Sequence, residues 1–578
     1  MPSSACFDEL RDAEVGEESR LMTAECAKPV LLGNTMDRPL LVSTLISYAA
    51  RSHADTDVVA VDSAGVTTRS SWGQIGKRAH LLSAALTADG IAPGERVATI
   101  ACNDHRHLEA YYGITGIGAV LHTVNPRLHD DQLAYILNDA ADSIVLVDQS
   151  FVDIAARLAA RTPSVRRWVV LGRPDTPAGL PGEIAYEDWI GGTAGPAAWP
   201  EFDERSAATL CYTSGTTGNP KGVLQSHRSI VLQTWACCTG DGHDIHSGHA
   251  VLGAVPMFHV NGWALPFATA MSGAKLVLPG PNLNPEALVD LIEAEDVTFS
   301  AGVPTIWLGV VQYLQDTGRT VPSLEKVAVG GSAAPRVLTD TLEDDYGVTV
   351  SHVWGMTEMT QGTSGRFTHR VQRASRDDQR ARQAKAGREL YGIELRVADE
   401  QGNALPHDGH SVGEIQARGP WMCGAYYLGE LAEPDAFADS HLPASDGGWL
   451  RTGDVGALDS EGYLTLTDRS KDVIKSGGEW ISSIELENAA LAAPGVSAAA
   501  VIGLPHERWG ERPLLIVELA GGATLDADAV LDAIRPRVAS WWLPDDIVVA
   551  EAIPLTGTGK IDKKALRSHY SGHVWPQR

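Results

Sequence analysis

From about residue 40 the chain alternates two hydrophobic periods. LVSTLISYAARSHA spaces its apolar residues as one helix face, DVVAVDS is a short β-branched run, and QIGKRAHLLSAALTADG is an amphipathic helix closed by glycine. The theme continues through RVATIAC, a helix in HLEAYYGITGIG, AVLHTVN, a helix in HDDQLAYILNDA, and SIVLVD. It returns in AKLVLPG, PEALVDLIEAED, VTFSAGVP and KVAVGG. Strands alternating with helices at this spacing predict an α/β fold, with mostly parallel sheet covered by helices on both faces. From about residue 388 the chain turns strand-rich (IELRVAD, GEIQARG, GYLTLTD) with glycine-bearing turns, predicting a β-rich subdomain. The last hundred residues change again: helix in SIELENAALAAPG, strands in AAAVIGLP and LLIVELAG, helix in DADAVLDAIRPRVA. They read as a small α+β domain. Residues before about 35 are polar and aperiodic, an extension. QRASRDDQRARQAKAGR reads as a solvated helix or loop.

Composition narrows the function classes. At 578 residues the chain exceeds one compact core and should divide into two or three domains. A formal charge of −27 sets the chain against a nucleic-acid polyanion, while a nucleotide needs only a local positive field. The seven cysteines are scattered and show neither CxxC nor Cys/His ligand spacing, so neither a disulfide framework nor a structural zinc site is expected. The N-terminal residues lack the basic-then-apolar pattern of a signal peptide, and no run approaches the ~18 apolar residues of a membrane helix. The expectation is a soluble cytoplasmic protein with no membrane span.

One polar stretch stands out, YTSGTTGNPKG at Tyr212–Gly222. Gly215 and Gly218 can take positive φ, turning successive N–H groups inward as an anion nest. Thr213, Ser214, Thr216 and Thr217 add hydroxyls and Lys221 a charge. The spacing differs from the GxxxxGK[ST] of P-loop enzymes. By itself the stretch fits either a phosphate cradle or a mobile surface loop.

Six further segments follow in order: PMFHVNGW (256–263), GGSAAP (330–335), WGMTE (354–358), RTGD (451–454), DRSKDVIKSGGEWISSIELE (468–487) and PLTGTGKIDKKALR (554–567). Taken singly, each has a plain structural reading. GGSAAP could be a strand-to-helix turn, Glu358 a solvated carboxylate, RTGD a tight turn and His259 a core histidine.

Together with YTSGTTGNPKG, these segments closely resemble the adenylate-forming enzymes: acyl-CoA synthetases, adenylation domains and luciferases. PMFHVNGWALPF, AGVPTIWLGVVQYL and SWWLPDD are most similar to the medium- and long-chain fatty acyl-CoA synthetases. The resemblance runs from about residue 35 to the end. It implies an adenylating domain over 36–468, a hinge at 469–471 centred on Lys471, and a C-terminal domain over 472–578, after an extension at 1–35. It implies ATP, Mg²⁺ and CoA as cofactors, with Thr213 and Glu358 holding the metal. The phosphates would lie on Thr213, Ser214, Gly215, Thr216, Thr217, Gly218 and Lys221. Gly331, Ser332, Ala333, Ala334 and Pro335 would line the adenine pocket with Trp354, Gly355, Met356 and Thr357. Asp454 would accept from the ribose hydroxyls, and Arg469 would lie near the ribose or α-phosphate.

The acid pocket would take His259, Val260, Asn261, Trp263, Gly331 and Met356, with His259 as a gate. Lys560 would bridge carboxylate and α-phosphate, with Thr357, Glu358 and His259 completing the catalytic set. Lys563 and Lys564 read as surface charges. For the second half-reaction, Lys475, Gly477, Gly478, Glu479 and Trp480 would form the wall beside the pantetheine arm. The implied reaction joins a fatty or aryl acid to CoA, and a second copy of the chain is an admissible partner. The alternative acceptors are a carrier-protein phosphopantetheine or an amine, or nitrite takes the place of the acid. A non-catalytic nucleotide-binding protein is disfavoured because Lys221, Glu358, Asp454 and Lys560 are all present.

Overall fold

The alternating segments form two parallel sheets, where the period alone gave no count. The computed structural model describes residues 33–172, 177–213, 219–427, 429, 448–469, 471–476, 479–556 and 560–576, the side chains of 479 and 480 excepted. Among these, one seven-stranded sheet runs in the order Ile184–Ala185, Arg167–Leu171, Ile144–Asp148, Arg96–Ile100, Val120–Thr123, Ala207–Thr213, Lys221–Ser226. The other, also seven-stranded, runs Thr349–His352, Lys326–Val329, Phe299–Gly302, Ala250–Leu252, Lys275–Leu278, Asp57–Val61, Thr67–Ser71. Each is parallel except for one antiparallel edge strand, Lys221–Ser226 in the first and Thr67–Ser71 in the second.

One hydrophobic cluster lies between the two sheets. It joins Val97, Leu121, Ile144 and Leu146 from one sheet to Val58, Ala60, Val251 and Leu276 from the other, through helices Val42–Ser52, Trp72–Ala88 and His105–Gly116. Helix starts are legible in chemistry. Ser71 caps the second helix by accepting from Gln74 N–H, and Asp104 caps the third by accepting from His107 N–H.

The strand-rich region forms a four-stranded antiparallel sheet of Glu394–Ala398, Gly413–Arg418, Leu450–Leu458 and Leu464–Arg469. The last hundred residues form a separate five-stranded sheet built on the hairpin Val496–His506 and Gly510–Leu519. Both belong to the compact unit Leu40–Arg578. Among the described residues no helix is long and apolar enough to cross a membrane.

One reading of charged residues gains detail and one changes. The stretch expected as a solvated helix or loop contains the largely exposed helix Arg376–Gln383, whose arginines are paired. Arg376 pairs with Glu343 at 2.6 Å, Arg380 with Asp340 and Asp344, and Arg382 with Glu461 at 2.9 Å. The stretch therefore straps helix Arg336–Asp344 to the antiparallel sheet. Lys563 is no surface charge. It pairs with Glu487 at 2.9 Å and donates to Ser483 Oγ, with 12% of its side chain exposed. Lys564 is exposed, as expected.

Removing the ammonium at Lys563 would leave the Glu487 carboxylate buried without its ion partner. Lys563→Met is expected to destabilise the C-terminal part by about 3 kcal/mol or more. Lys564→Ala should stay within about 0.5 kcal/mol. Thermal unfolding of the two purified variants checks the contrast.

Candidate functional site

The motifs converge because they follow the carboxyl ends of parallel strands, where open α/β sheets leave room for ligands. Thr213 ends Ala207–Thr213, Gly302 ends Phe299–Gly302, Gly330 and Gly331 follow Lys326–Val329, and Trp354 follows Thr349–His352. Thr213 and Lys221 are direct partners across an antiparallel pair, so the hairpin sets hydroxyl and cation side by side. Ser214, Gly215, Thr216, Thr217 and Gly218 lie outside the described residues.

His259 and Trp263 owe their placement to unusual backbone. Val260, Asn261, Gly262, Trp263 and Ala264 all have positive φ, at 47°, 52°, 61°, 53° and 61°. Left-handed conformation disfavours non-glycine residues by roughly 1–2 kcal/mol each, so this turn must be held from outside. Asn261 Nδ2 donates to Thr209 Oγ1 at 3.0 Å and to Gln225 Oε1 at 2.9 Å. Gln225 Nε2 in turn donates to Thr360 Oγ1 at 3.1 Å, linking this turn to the 354–360 turn. Asn103 donates to the carbonyls of Gly253 and Val255 at 2.8 and 2.7 Å and accepts from Met257 N–H at 2.7 Å. Tyr111 and Tyr112 donate to the carbonyls of Met257 and Pro266 at 2.5 and 2.8 Å.

The result is a mainly apolar cavity of about 200 Å³ lined in part by Arg127, Val255, His259, Trp263, Leu283, Val303 and Ile306. Val260 and Asn261, expected to touch the acid, are buried and absent from its lining. The polar groups of Asn261 are spent on the turn, so both hold the wall from behind. Met356 packs with Trp354 in the cluster of the antiparallel sheet and is likewise absent from the lining.

Gly331, also expected at the acid, is absent from the lining as well and lies between the cavity walls and Lys560. A methyl group there would lie 3.2 Å from Val303 Cγ1, 3.5 Å from Lys560 Cε and 3.6 Å from Trp263 Cζ2. At φ 81° the position also disfavours any side chain. Ala334 is buried, while Pro335 caps helix Arg336–Asp344 and Ser332 precedes it. Gly355 is required where it stands, since a Cβ would strike the carbonyl of Thr360 at 2.1 Å.

Charges gather around Lys560. Burial pulls its ammonium down to about 8, helped by the neighbouring Arg469 and opposed by Asp454 and Glu358. Burial, with the charges of Lys560 and Arg127 beside it, pulls His259 down to about 3, so its ring is neutral at ordinary pH. Glu358 is 4% exposed, and burial raises its carboxyl above the usual range. Its Oε1 accepts from Tyr426 hydroxyl at 2.6 Å. Thr357, one residue earlier, is half-buried. Asp454 accepts from Trp354 Nε1 at 2.7 Å and pairs with Arg469 at 3.3 Å, its partner across the sheet.

In the C-terminal sheet, Lys475 lies on strand Ile474–Ser476, paired with Glu479–Ile481. Gly477 and Gly478 and the side chains of Glu479 and Trp480 lie outside the described residues. Lys471 is exposed in the turn after Arg469. The sequence reading missed Arg127, Gln225, Tyr426 and the cavity walls Leu283, Val303 and Ile306.

The AMP-binding enzyme model matches residues 47–427, and the AMP-binding enzyme C-terminal domain model matches 485–560. The chain belongs to the AMP-binding enzyme family. Within this adenylate-forming family it falls in the fatty acyl-CoA synthetase branch of the acyl-CoA ligases. It is 43% identical to a 3-methylmercaptopropionyl-CoA ligase of Ruegeria lacuscaerulensis, over 93% of this chain and 99% of the relative. It is also 43% identical to a medium-chain-fatty-acid–CoA ligase of Ectopseudomonas oleovorans, over 93% and 98%. An anthranilate CoA ligase solved with anthranoyl-AMP shares the fold at a TM-score of 0.81, with 22% identity over 92% of this chain and 98% of that one.

Gly331→Ala is expected to lower ATP–pyrophosphate exchange by about 10²-fold, because it displaces groups that must meet within a fraction of an ångström. Gly318→Ala, at another positive φ but with open space around it, should leave exchange unchanged.

Proposed function

We propose that this enzyme activates a short- or medium-chain aliphatic carboxylic acid with ATP and passes the acyl group to CoA. The observation that carries this reading is the place of Gly331, where a methyl group would touch both the cavity walls Val303 and Trp263 and the side chain of the half-buried Lys560. Cavities for larger organic ligands run to ~300–1,000 Å³, so one of about 200 Å³ with aliphatic walls and Trp263 suits a short chain. The names of the two 43%-identical relatives, a methylthio-substituted acid and a medium-chain fatty acid, support the same class.

In the first half-reaction a carboxylate oxygen attacks the α-phosphorus, and the bond to pyrophosphate breaks. Two anions must approach each other, and the Lys560 ammonium would offset the charge of both. Lys221 and the hydroxyl of Thr213 serve the outgoing phosphates, and Asp454 and Arg469 the ribose side. His259, neutral, orders the acid pocket without adding a competing charge.

Mg²⁺ fits Thr213 and Glu358 chemically. They offer hard oxygens, and a magnesium ion held by one carboxylate and substrate phosphates is its usual setting. Among the described residues no group of three or more His, Cys, Asp or Glu could hold a metal alone, so phosphate oxygens would complete the site. When bound, the metal supplies positive charge to the phosphates.

In the second half-reaction the CoA sulfur attacks the acyl carbonyl, the bond to AMP breaks, and the thiol proton leaves. We infer that the C-terminal domain turns about Lys471 between the two steps, replacing Lys560 with the segment 475–480.

The test is ATP–pyrophosphate exchange across acids from acetate to palmitate, with methylthio-propionate, benzoates, cinnamates and nitrite. AMP release is then followed with and without CoA. Exchange is expected with acids of short to medium chain, and AMP release only with CoA. Exchange with aryl acids or nitrite alone would overturn the substrate class. Lys560→Ala should lose about 10²–10³ in exchange while keeping the wild-type unfolding temperature.

Because the ammonium is the working form, kcat/KM for exchange should be full below about pH 8 and fall as pH rises through that value. His259 should add no acidic limb above about pH 4, being neutral there. A pH profile of exchange in the wild type checks both limbs.

A further inference from the structure

One residue outside the quoted motifs touches both of the groups assigned to the phosphates and metal. The Tyr426 hydroxyl donates to Glu358 Oε1 at 2.6 Å, and its ring lies beneath Lys221 Nζ, 4.8 Å from the centroid. Its chain neighbours reach the same two places. Cys423 N–H donates to the carbonyl of Glu358 and Tyr427 N–H to the carbonyl of Gly222, both at 2.7 Å. A methyl group on Gly222 would lie 3.1 Å from Tyr427 Cβ and from Leu210 Cδ1, so the two segments pack closely there. Gly222 belongs to one parallel sheet, and Glu358 follows the edge strand of the other. The segment 423–427 therefore stitches the exit of the phosphate hairpin to the turn that carries the carboxylate.

We propose that Tyr426 is the positioning residue of the nucleotide–metal site. Its hydroxyl fixes the orientation of the Glu358 carboxylate and leaves Oε2 for the cation. Its ring face holds the Lys221 ammonium beside the path of the phosphates. The inference rests on the proposed use of Glu358 and Lys221. The two links are chemically separable. A hydrogen bond from outside a metal's own ligands commonly changes metal affinity by about 10–100-fold when removed. A cation over an aromatic face at a partly exposed site changes binding by about two- to fivefold. Phenylalanine deletes the first and keeps the second, whereas leucine deletes both.

The full-length chain, without acid, is titrated calorimetrically with ATP at a series of Mg²⁺ concentrations, alongside Tyr426→Phe, Tyr426→Leu and Glu358→Gln. Tyr426→Phe is expected to raise the Mg²⁺ concentration for half-maximal ATP binding about tenfold and to leave metal-free ATP binding unchanged. Tyr426→Leu should show the same Mg²⁺ shift and also weaken metal-free binding by about fivefold. Glu358→Gln should shift the Mg²⁺ dependence at least as far as Tyr426→Phe. A shift in Glu358→Gln without one in Tyr426→Phe overturns the role of the hydroxyl and leaves Glu358 as the metal carboxylate. No shift in Glu358→Gln removes the metal reading and the Tyr426 hydroxyl role together. Equal metal-free binding by the Phe and Leu variants overturns the role of the ring. Thermal unfolding of each variant separates loss of positioning from loss of fold, and the Phe variant carries the test if the Leu variant does not fold.

Discussion

In the proposed reaction, the constraint on which the structure turns is that the Lys560 ammonium must work in a setting whose burial disfavours it. Burial lowers the affinity of Lys560 for its proton, and Arg469 lowers it further. The carboxylates of Asp454 and Glu358 restore part of it. A lysine in water would carry its charge securely, but water would also screen that charge from the two anions it has to join. The balance keeps a proton on Lys560 near neutral pH while leaving its field unscreened. His259 is held neutral chiefly by its own burial, and the Lys560 charge adds to that. Two cations at that spot would compete for the proton that one of them needs.

The cleft exists because strain at its wall is offset elsewhere. Four non-glycine residues in left-handed conformation form the turn that aims His259 and Trp263. A turn of that kind persists only when its surroundings over-determine it. Here the surroundings come from both sheets. Asn103, Tyr111 and Tyr112 reach it from the first sheet and the helix that follows, and the Asn261–Gln225 pair ties it to the turn carrying Glu358. The cavity wall and the turn carrying Glu358 thus share one hydrogen-bonded frame.

This arrangement also marks what could be read from the sequence. The helices and strands were legible because their hydrophobic periods are clean: HDDQLAYILNDA and SIVLVD became helix Asp130–Asp139 and strand Ile144–Asp148. The number of sheets was not, since a βα alternation specifies parallel pairing but not which strand pairs with which. The motifs singled out polar residues that the fold sets in pairs, such as Thr213 beside Lys221 and Asp454 beside Arg469. The cavity walls were invisible because Leu283, Val303 and Ile306 are chemically identical to core residues until the fold leaves space beside them. Gln225 and Tyr426 act through partners distant in sequence, and no local pattern announces such contacts. Lys563 was misread for the same reason: its partner Glu487 lies on another element, and GKIDKK offers nothing to distinguish it from Lys564.

The same geometry argues for the proposed rotation. Lys560 sits on a hairpin closed by the bridge between Leu555 and Ile561, and residues on either side of it pack in one cluster with Ile502, Leu514 and Leu566. The segment beginning at Lys475 is bonded to the other end of the same hairpin core, through Ser476 and Gly510. One packed body therefore carries both Lys560 and the segment proposed to flank the thiol, on different parts of its surface. A close-packed body does not bend to bring both to one place. It can present them only in turn, and the joint has to lie outside it. The turn after Arg469 meets that requirement. It follows the last strand of the antiparallel sheet, and the Asp472–Arg567 ion pair at 2.7 Å clamps its far side to the C-terminal body. Lys471, between Arg469 and the clamped Asp472, lies in the stretch where the proposed change in backbone angle would fall.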